Sequence, residues 1–312
     1  MLVEVDQAHG WLSGPATRHI LNREYTCYGK GEYVRLAQIS FGHLYNLRGS
    51  AVYRRKAVSY QPTQATAVSI GERRRPEPEG KPGYLRVDTV HQGDWDGAKG
   101  VYHINAVDAV TQWQVVGCTE KISEEYLEPV LEAILHQFPF RIRGFHSDNG
   151  SEYINHRVAK ILEDLRIEFT KSRANRSQDD ALVEGKNGAV IRKMIGYGHI
   201  PGEDAEKLHK FYTGLLNPYL NYHRPCGFAT VKYDEKGKRK RIYKREDYAT
   251  PYEKLKRLAN AAGYLKEGVT LEFLEQQAKR MSDTEWARKM TAAKDNLLRE
   301  VKIECPVPPR FH

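Results

Sequence analysis

The spacing of hydrophobic and polar residues predicts three short helices near the amino terminus. Ile20 and Leu21 belong to a helical segment that opens near Gly14, and residues 33–37 predict a second helix. Ser40 is placed to cap a third helix over residues 41–48. The last two helices are joined by a short turn, which predicts a helix-turn-helix whose second helix enters a DNA major groove. A small helical bundle with a basic surface is the alternative.

The middle of the chain predicts strands first and then alternating helices and strands. Three β-rich runs, with a turn at 108–111, indicate an antiparallel meander: 84–91, 101–107 and 112–118. The segments that follow predict helix, strand, helix, strand and helix in turn: 123–137, 141–145, 152–165, 167–170 and 179–195. This order predicts an α/β fold with a mixed five-stranded sheet.

The carboxy-terminal part predicts a basic β-hairpin followed by helices. The hairpin spans 230–248, and a helix capped by Thr250 follows over 252–258. Residues 270–302 predict amphipathic helices that pack either on the central sheet or on another protomer.

Composition and the placement of proline and glycine divide the chain into four parts. Residues 71–83 combine proline, glycine and mixed charge and predict a linker. We therefore expect a helix-turn-helix DNA-binding region over 1–70, a linker over 71–83, an α/β domain over 84–226, and a basic hairpin with helices over 227–312.

Charge points to a polyanionic partner. The 312 residues carry 49 Lys+Arg against 40 Asp+Glu, a formal charge of +9. Residues 1–82 hold 12 basic against 7 acidic side chains, 83–226 hold 17 against 20, and 227–312 hold 20 against 13. An acidic middle therefore lies between two basic ends, which favours nucleic acid held at both ends.

The apolar and cysteine patterns exclude several classes of protein. No apolar run is long enough to span a membrane, and the first thirty residues lack an apolar signal-peptide core. The four cysteines lie far apart, which argues against a cysteine-rich zinc site and is typical of a reducing cytosol. We expect a cytoplasmic protein associated with the nucleoid.

Three acids stand apart from the others by their position. Asp88 lies inside a predicted strand, where a carboxylate is costly unless it is paired or bound to a metal. Asp148 follows the end of a predicted strand, where open α/β sheets bind ligands. Glu184 lies on the predicted helix 179–195, and thirty-five residues separate it from Asp148. Carboxylate oxygens are the ligands that Mg²⁺ prefers, and two such ions can clamp a phosphoryl displacement.

The acids and the segments around them resemble the DDE integrases of retroviruses and the related transposases of bacterial insertion sequences. The matching segments are HSDNGSEY at 146–153, KSRANRSQDDALVEGKN at 171–187 and LNPYLNYHRP at 216–225. The resemblance implies an RNase H-like domain over about 83–226, in which Asp88, Asp148 and Glu184 hold two Mg²⁺ ions, with Mn²⁺ as a substitute. It also implies strand cleavage at transposon ends, strand transfer into target DNA, and a homo-multimer that joins the ends. Asp180 departs from the family, which often has asparagine there.

Further residues are candidates for contacts with double-stranded DNA, both the terminal repeats and the target. They lie near the third acid, in the predicted helix-turn-helix and in the basic hairpin: Lys171, Arg173, Arg176, Lys186, Asn187 and Lys193; His43, Asn46 and Arg48; and Lys238, Arg239, Lys240 and Arg241. Ordinary solvated charge is the alternative for the lysines and for the hairpin. For the whole chain, the alternatives are an inactive transposase remnant that binds DNA and a nuclease that cuts RNA–DNA hybrids.

Overall fold

The structure is a computed structural model. It describes residues 1–8, 14–26, 28–56, 72–73, 78–147, 156–165, 167–171, 181–233, 239–242, 244, 247–301 and 303.

Short helices form the amino-terminal part: α1 (Leu2–Ala8), α2 (Gly14–Thr26), α3 (Val34–Ala37), α4 (Phe41–Arg48) and α5 (Ala51–Arg54). The three predicted helices correspond to α2, α3 and α4, and the Ser40 hydroxyl accepts from the backbone N–H of His43 at the start of α4. Leu21 and Leu44 are fully buried in a small separate core. Asp6, also buried, accepts hydrogen bonds from Arg48, Thr17 and Tyr53 at its centre. Burial of both apolar and paired polar groups holds these short helices together.

A mixed sheet forms the middle of the chain. Its strands are β1 (Glu72–Arg73), β2 (Tyr84–His91), β5 (Tyr102–Asp108), β6 (Gln114–Thr119), β7 (Gly144–Ser147) and β8 (Glu168–Lys171). Between β2 and β5, the strands β3 (Asp94–Trp95) and β4 (Ala98–Lys99) form a separate small hairpin. The strand order is β1-β8-β7-β2-β5-β6. Strands β2, β5 and β6 pair antiparallel, whereas β7, β8 and β1 continue from β2 in parallel. The predicted five-stranded mixed sheet is confirmed, and β1 adds a two-residue edge strand within the expected linker.

One predicted strand is displaced along the chain. The strand expected over 141–145 occupies Gly144–Ser147 instead. The backbone N–H of Arg141 bonds to the carbonyl of Tyr264, and the N–H of Arg143 bonds to the carbonyl of Gly83. Arg141 is therefore bound to a residue outside the sheet. Arg143 bonds to the residue before β2, and its carbonyl accepts from the N–H of Glu168 in β8, so strand pairing begins next to it at Gly144.

Two apolar cores cover the two faces of the sheet. The helices that pack there are α6 (Glu124–His136), α7 (His156–Asp164), α8 (Ala181–Lys186), α9 (Lys193–Ile195) and α10 (Ala205–Phe211), with π-helical segments at Asn187–Arg192, Tyr212–Leu216 and Tyr219–His223. Leu85 and Val87 pack with α6 and α7 in the first core, and Val90 and Val116 pack with α10 and the π-helical segments in the second. Because strand side chains alternate, Asp88 lies on the second face, with Val90.

The outer edge of β6 is paired with side chains in place of another strand. Asn221 Oδ1 accepts from the N–H of Gln114 at 2.8 Å, and its Nδ2 donates to the carbonyl of Gln114 at 2.7 Å. Asn217 makes the same two bonds with Val116, at 2.9 and 3.0 Å. The N–H of Cys118 donates to His209 Nδ1 at 3.3 Å. The LNPYLNYHRP segment therefore covers an open sheet edge, because a side-chain amide offers the same donor and acceptor as a peptide group.

The carboxy-terminal part contains β9 (Cys226–Gly227), β10 (Thr230–Tyr233), β11 (Arg239–Ile242), β12 (Tyr248–Ala249), α11 (Pro251–Lys256), α12 (Ala261–Tyr264), α13 (Leu271–Lys279) and α14 (Asp283–Glu300). The predicted hairpin is β10 paired antiparallel with β11, and Thr250 forms a complete capping box with Glu253. Leu274 of α13 packs in the first core, and Trp286 and Met290 of α14 pack in the second. The sequence left open whether these amphipathic helices pack on the central sheet or on another protomer, and in the structure they pack on the sheet. No helix among the described residues is long and apolar enough to cross a membrane.

Candidate active site

Asp88 lies at the middle of β2, directly opposite Asn105 of β5. Its side chain is only partly exposed. Oδ1 accepts from the backbone N–H of Thr89 at 2.8 Å, and Oδ2 accepts from Nδ2 of Asn187 at 2.6 Å. These two donors fix the orientation of the carboxylate.

Glu184 comes from the helix that supplies Asn187. It lies in the first turn of α8 and is exposed to solvent. Asn187 follows three residues later, so the two side chains lie on the same side of the helix, one turn apart. Since Asn187 touches Asp88, the fold brings Glu184 to within one helical turn of the residue that binds the first acid.

Asp148 lies outside the described residues, as do Asp180 and the rest of 172–180. The strand that precedes Asp148 is described: Ser147, the last residue of β7, pairs with Val87 next to Asp88. Within the described ranges no three His, Cys, Asp or Glu side chains form a group that could hold a metal. The two placed acids offer only oxygen ligands, which suit hard cations such as Mg²⁺ and Mn²⁺.

Two residues that the sequence did not single out extend the contacts of Asp88 across the sheet. Asn105 Nδ2 donates to Asn187 Oδ1 at 2.7 Å, and Gln114 Nε2 donates to Asn105 Oδ1 at 2.9 Å. Both side chains are buried, with 0% and 1% of the residue exposed. The signal for Gln114 in the sequence is a polar side chain on a face of β6 that otherwise holds Val116 and Cys118. Asn105 shares its face of β5 with His103, so no such contrast marks it.

The histidines near the acids stack on or hydrogen-bond to neighbouring side chains of the fold. His146 is buried, and its Nδ1 lies 2.8 Å from the Thr170 hydroxyl. His91 stacks on Tyr102, and burial lowers the pKa of His91 although Asp94 lies 3.4 Å away. His103, on β5, is fully buried between Tyr212 and Gln92, and burial lowers its pKa to about 3. The contacts of His91 and His146 are therefore those of packing residues.

The candidate DNA contacts near the acids differ in exposure. Lys193 is exposed, whereas Lys171 at the end of β8 is buried. Lys186 is partly buried, and its Nζ lies 2.9 Å from Cys226 Sγ. Val190, which helical spacing places between Lys186 and Lys193, is fully buried. A buried residue therefore separates Lys186 from Lys193 along the helix. Arg173 and Arg176 lie outside the described residues.

The remaining candidates lie at the two ends of the chain. His43 and Asn46 are exposed on α4. Arg48, expected to face the groove, instead binds the buried Asp6 and the Thr17 hydroxyl. Its guanidinium is therefore committed to the amino-terminal core. Arg239, Lys240 and Arg241 lie on β11, and Lys238 lies outside the described residues.

Comparison with known proteins finds a family model that matches part of the middle of the chain. Residues 78–177 match the model of the integrase core domain. An uncharacterised protein, y4rM of Sinorhizobium fredii (strain NBRC 101917 / NGR234), is 34% identical over 145 residues, which are 46% of this chain. The chain spans 41% of that relative's length.

Solved structures similar to this chain include viral integrases. A simian T-cell lymphotropic virus intasome, in complex with PP2A regulatory subunit B56 gamma, is 19% identical, with a TM-score of 0.32 over 57% of this chain and 60% of that one. The catalytic core domain of BIV integrase is 18% identical, with a TM-score of 0.35 over 46% of this chain and 85% of that one. The HTLV-2 integrase core in complex with magnesium is also 18% identical, with a TM-score of 0.33 over 51% and 93%. These overall likenesses are loose.

Proposed function

We propose that this chain is a DNA transposase, because residues 78–177 match the integrase core domain and the sheet has the mixed strand order of an RNase H-like fold. It cuts transposon ends and transfers the free ends into target DNA. The observation that carries the proposal is the contact of Asp88 with Asn187, one helical turn after Glu184. This contact ties the helix of one candidate acid to the strand of another.

In this proposal Asp88, Asp148 and Glu184 together hold two Mg²⁺ ions, and Mn²⁺ can replace them. The bound ions supply the charge that activates the attacking hydroxyl and stabilises the leaving oxygen in a transesterification. Asp88 is held in a fixed direction by Thr89 and Asn187, so little reorganisation is needed when the cation binds. Glu184 is open to solvent and is therefore accessible to an incoming cation.

The DNA is held on both sides of this site. Lys193 contacts the backbone of the transposon end, and α4 reads the terminal repeat through His43 and Asn46 as part of a helix-turn-helix. The basic strand β11 and the Arg173 and Arg176 segment contact phosphates. A homo-multimer joins the two transposon ends. Arg48 and Lys171 are left out of these contacts, because one is bound to Asp6 and the other is buried.

The test is a strand-transfer assay on terminal-repeat DNA with Mg²⁺. We expect Glu184→Gln to lower product by at least about a hundredfold, because it removes a charged ligand at the reacting centre. The matched control is Glu206→Gln, since Glu206 is an exposed helical glutamate paired only with Lys210 among the contacts that the structure gives it. Equal product from wild type and Glu184→Gln contradicts the catalytic assignment. DNA binding without product from the wild type favours the inactive remnant.

A further inference from the structure

Three neutral amides connect Asp88 to the far edge of the sheet. Gln114 donates to Asn105, Asn105 donates to Asn187, and Asn187 donates to Asp88, at 2.9, 2.7 and 2.6 Å. We call Gln114, Asn105 and Asn187 the amide relay. Gln114 and Asn105 are buried, so water does not compete for their hydrogen bonds.

The direction of the relay follows from the charge at its end. A carboxylate accepts hydrogen bonds, so Asn187 must turn its NH₂ group toward Asp88. Its oxygen then faces Asn105, which must present its own NH₂ group. The oxygen of Asn105 in turn faces Gln114, which again must donate. Reversing any one amide brings two oxygens or two NH₂ groups together, which is costly in a buried position.

We propose that Asn105 and Gln114 are positioning residues that hold the Asn187 amide in the orientation required to bind Asp88. Through Asn187 they keep the Asp88 carboxylate aligned for a divalent cation. This inference rests on the proposed function, since it assigns the relay to the same metal site.

Two structural features make the relay suited to this role. Amides do not titrate and carry no charge, so they orient Asp88 without competing with a cation as a lysine does. The start of the relay is also held firmly: the backbone of Gln114 is clamped by Asn221 through two hydrogen bonds. The relay therefore joins the sheet edge, the centre of the sheet and the Glu184 helix.

The experiment measures Mn²⁺ binding to the full chain without DNA, by calorimetry. The variants are Asn105→Leu and Gln114→Leu, which break the relay without adding charge. We expect about tenfold weaker Mn²⁺ binding for Asn105→Leu, because Asn187 loses the partner that fixes its orientation next to a charged group. We expect about threefold weaker binding for Gln114→Leu, which acts one bond further away. The matched control is Asn217→Leu, which removes an equally buried amide from the β6 edge but not from the relay.

The outcomes separate this inference from the proposed function. Weakening that is larger for Asn105→Leu than for Gln114→Leu, and absent in Asn217→Leu, supports the relay. Unchanged Mn²⁺ binding in both relay variants overturns the relay. If Asp88→Asn abolishes Mn²⁺ binding in the same experiment, the proposed metal site stands although the relay fails. Equal weakening in all three leucine variants also overturns it, because this indicates a general loss of structure. If the wild type does not bind Mn²⁺ through Asp88, the proposed metal site fails and the inference fails with it.

Discussion

Replacing Asn221 with leucine tests how the chain closes the open edge of its sheet. Asn221 pairs with both backbone groups of Gln114, and the Gln114 residue is 1% exposed. Leucine has a similar volume but neither donor nor acceptor. Asn221→Leu therefore leaves one N–H and one carbonyl of β6 buried without these partners.

The cost follows from those two groups. Each buried backbone group that loses its partner costs about 1–3 kcal/mol, so the pair costs about 2–6 kcal/mol. Burying the leucine side chain offsets about 2 kcal/mol. We expect a net loss of about 2 kcal/mol, and at most about 4 kcal/mol, in the free energy of unfolding.

Two measurements check this expectation. Urea denaturation gives the free energy of unfolding, and hydrogen exchange reports the Gln114 amide directly, because that N–H donates to the Asn221 side chain. The control is Asn46→Leu, since Asn46 is exposed on α4. If Asn221→Leu matches the control in stability and leaves exchange of the Gln114 amide unchanged, the edge-pairing account is refuted.

Three further changes test buried polar groups. Burial lowers the pKa of His103 to about 3, so the neutral ring stabilises the fold fully above the unfolded pKa of about 6.5. Below that pH, the contribution of His103 to the free energy of unfolding falls by about 1.4 kcal/mol per pH unit. His103→Gln should remove this part of the pH dependence of the free energy of unfolding, measured between pH 6 and 4. Asp108→Ala should cost about 3–5 kcal/mol in urea denaturation, because the buried carboxylate accepts from both the backbone and the hydroxyl of Thr111 and from two further N–H groups. Asp6→Asn should cost about 2–3 kcal/mol and raise hydrogen exchange in α4, because the partly buried Arg48 loses its counter-charge; unchanged exchange there contradicts this account.

The sequence by itself determined the elements and the candidate chemistry. Strand alternation located β2, β5 and β6 to within two residues at each end, and the Thr250-Pro251 pair located the start of α11. The position of Asp88 inside an apolar strand marked it as an unusual carboxylate, and its contacts in the structure agree with that interpretation. These features are local, because they depend on residues within one turn or one strand.

The partners of those elements were decided only by the tertiary structure. Helical spacing showed that α14 has an apolar face, but not that this face covers the same side of the sheet as Asp88. The predicted helix-turn-helix made Arg48 a candidate for DNA contact, but its partner in the structure is Asp6, forty-two residues away in the chain. The amide relay likewise depends on the pairing of β2 with β5 and on where the Glu184 helix crosses them. Periodicity specifies which side of an element is buried, whereas its covering partner depends on the packing of segments that are distant in the chain.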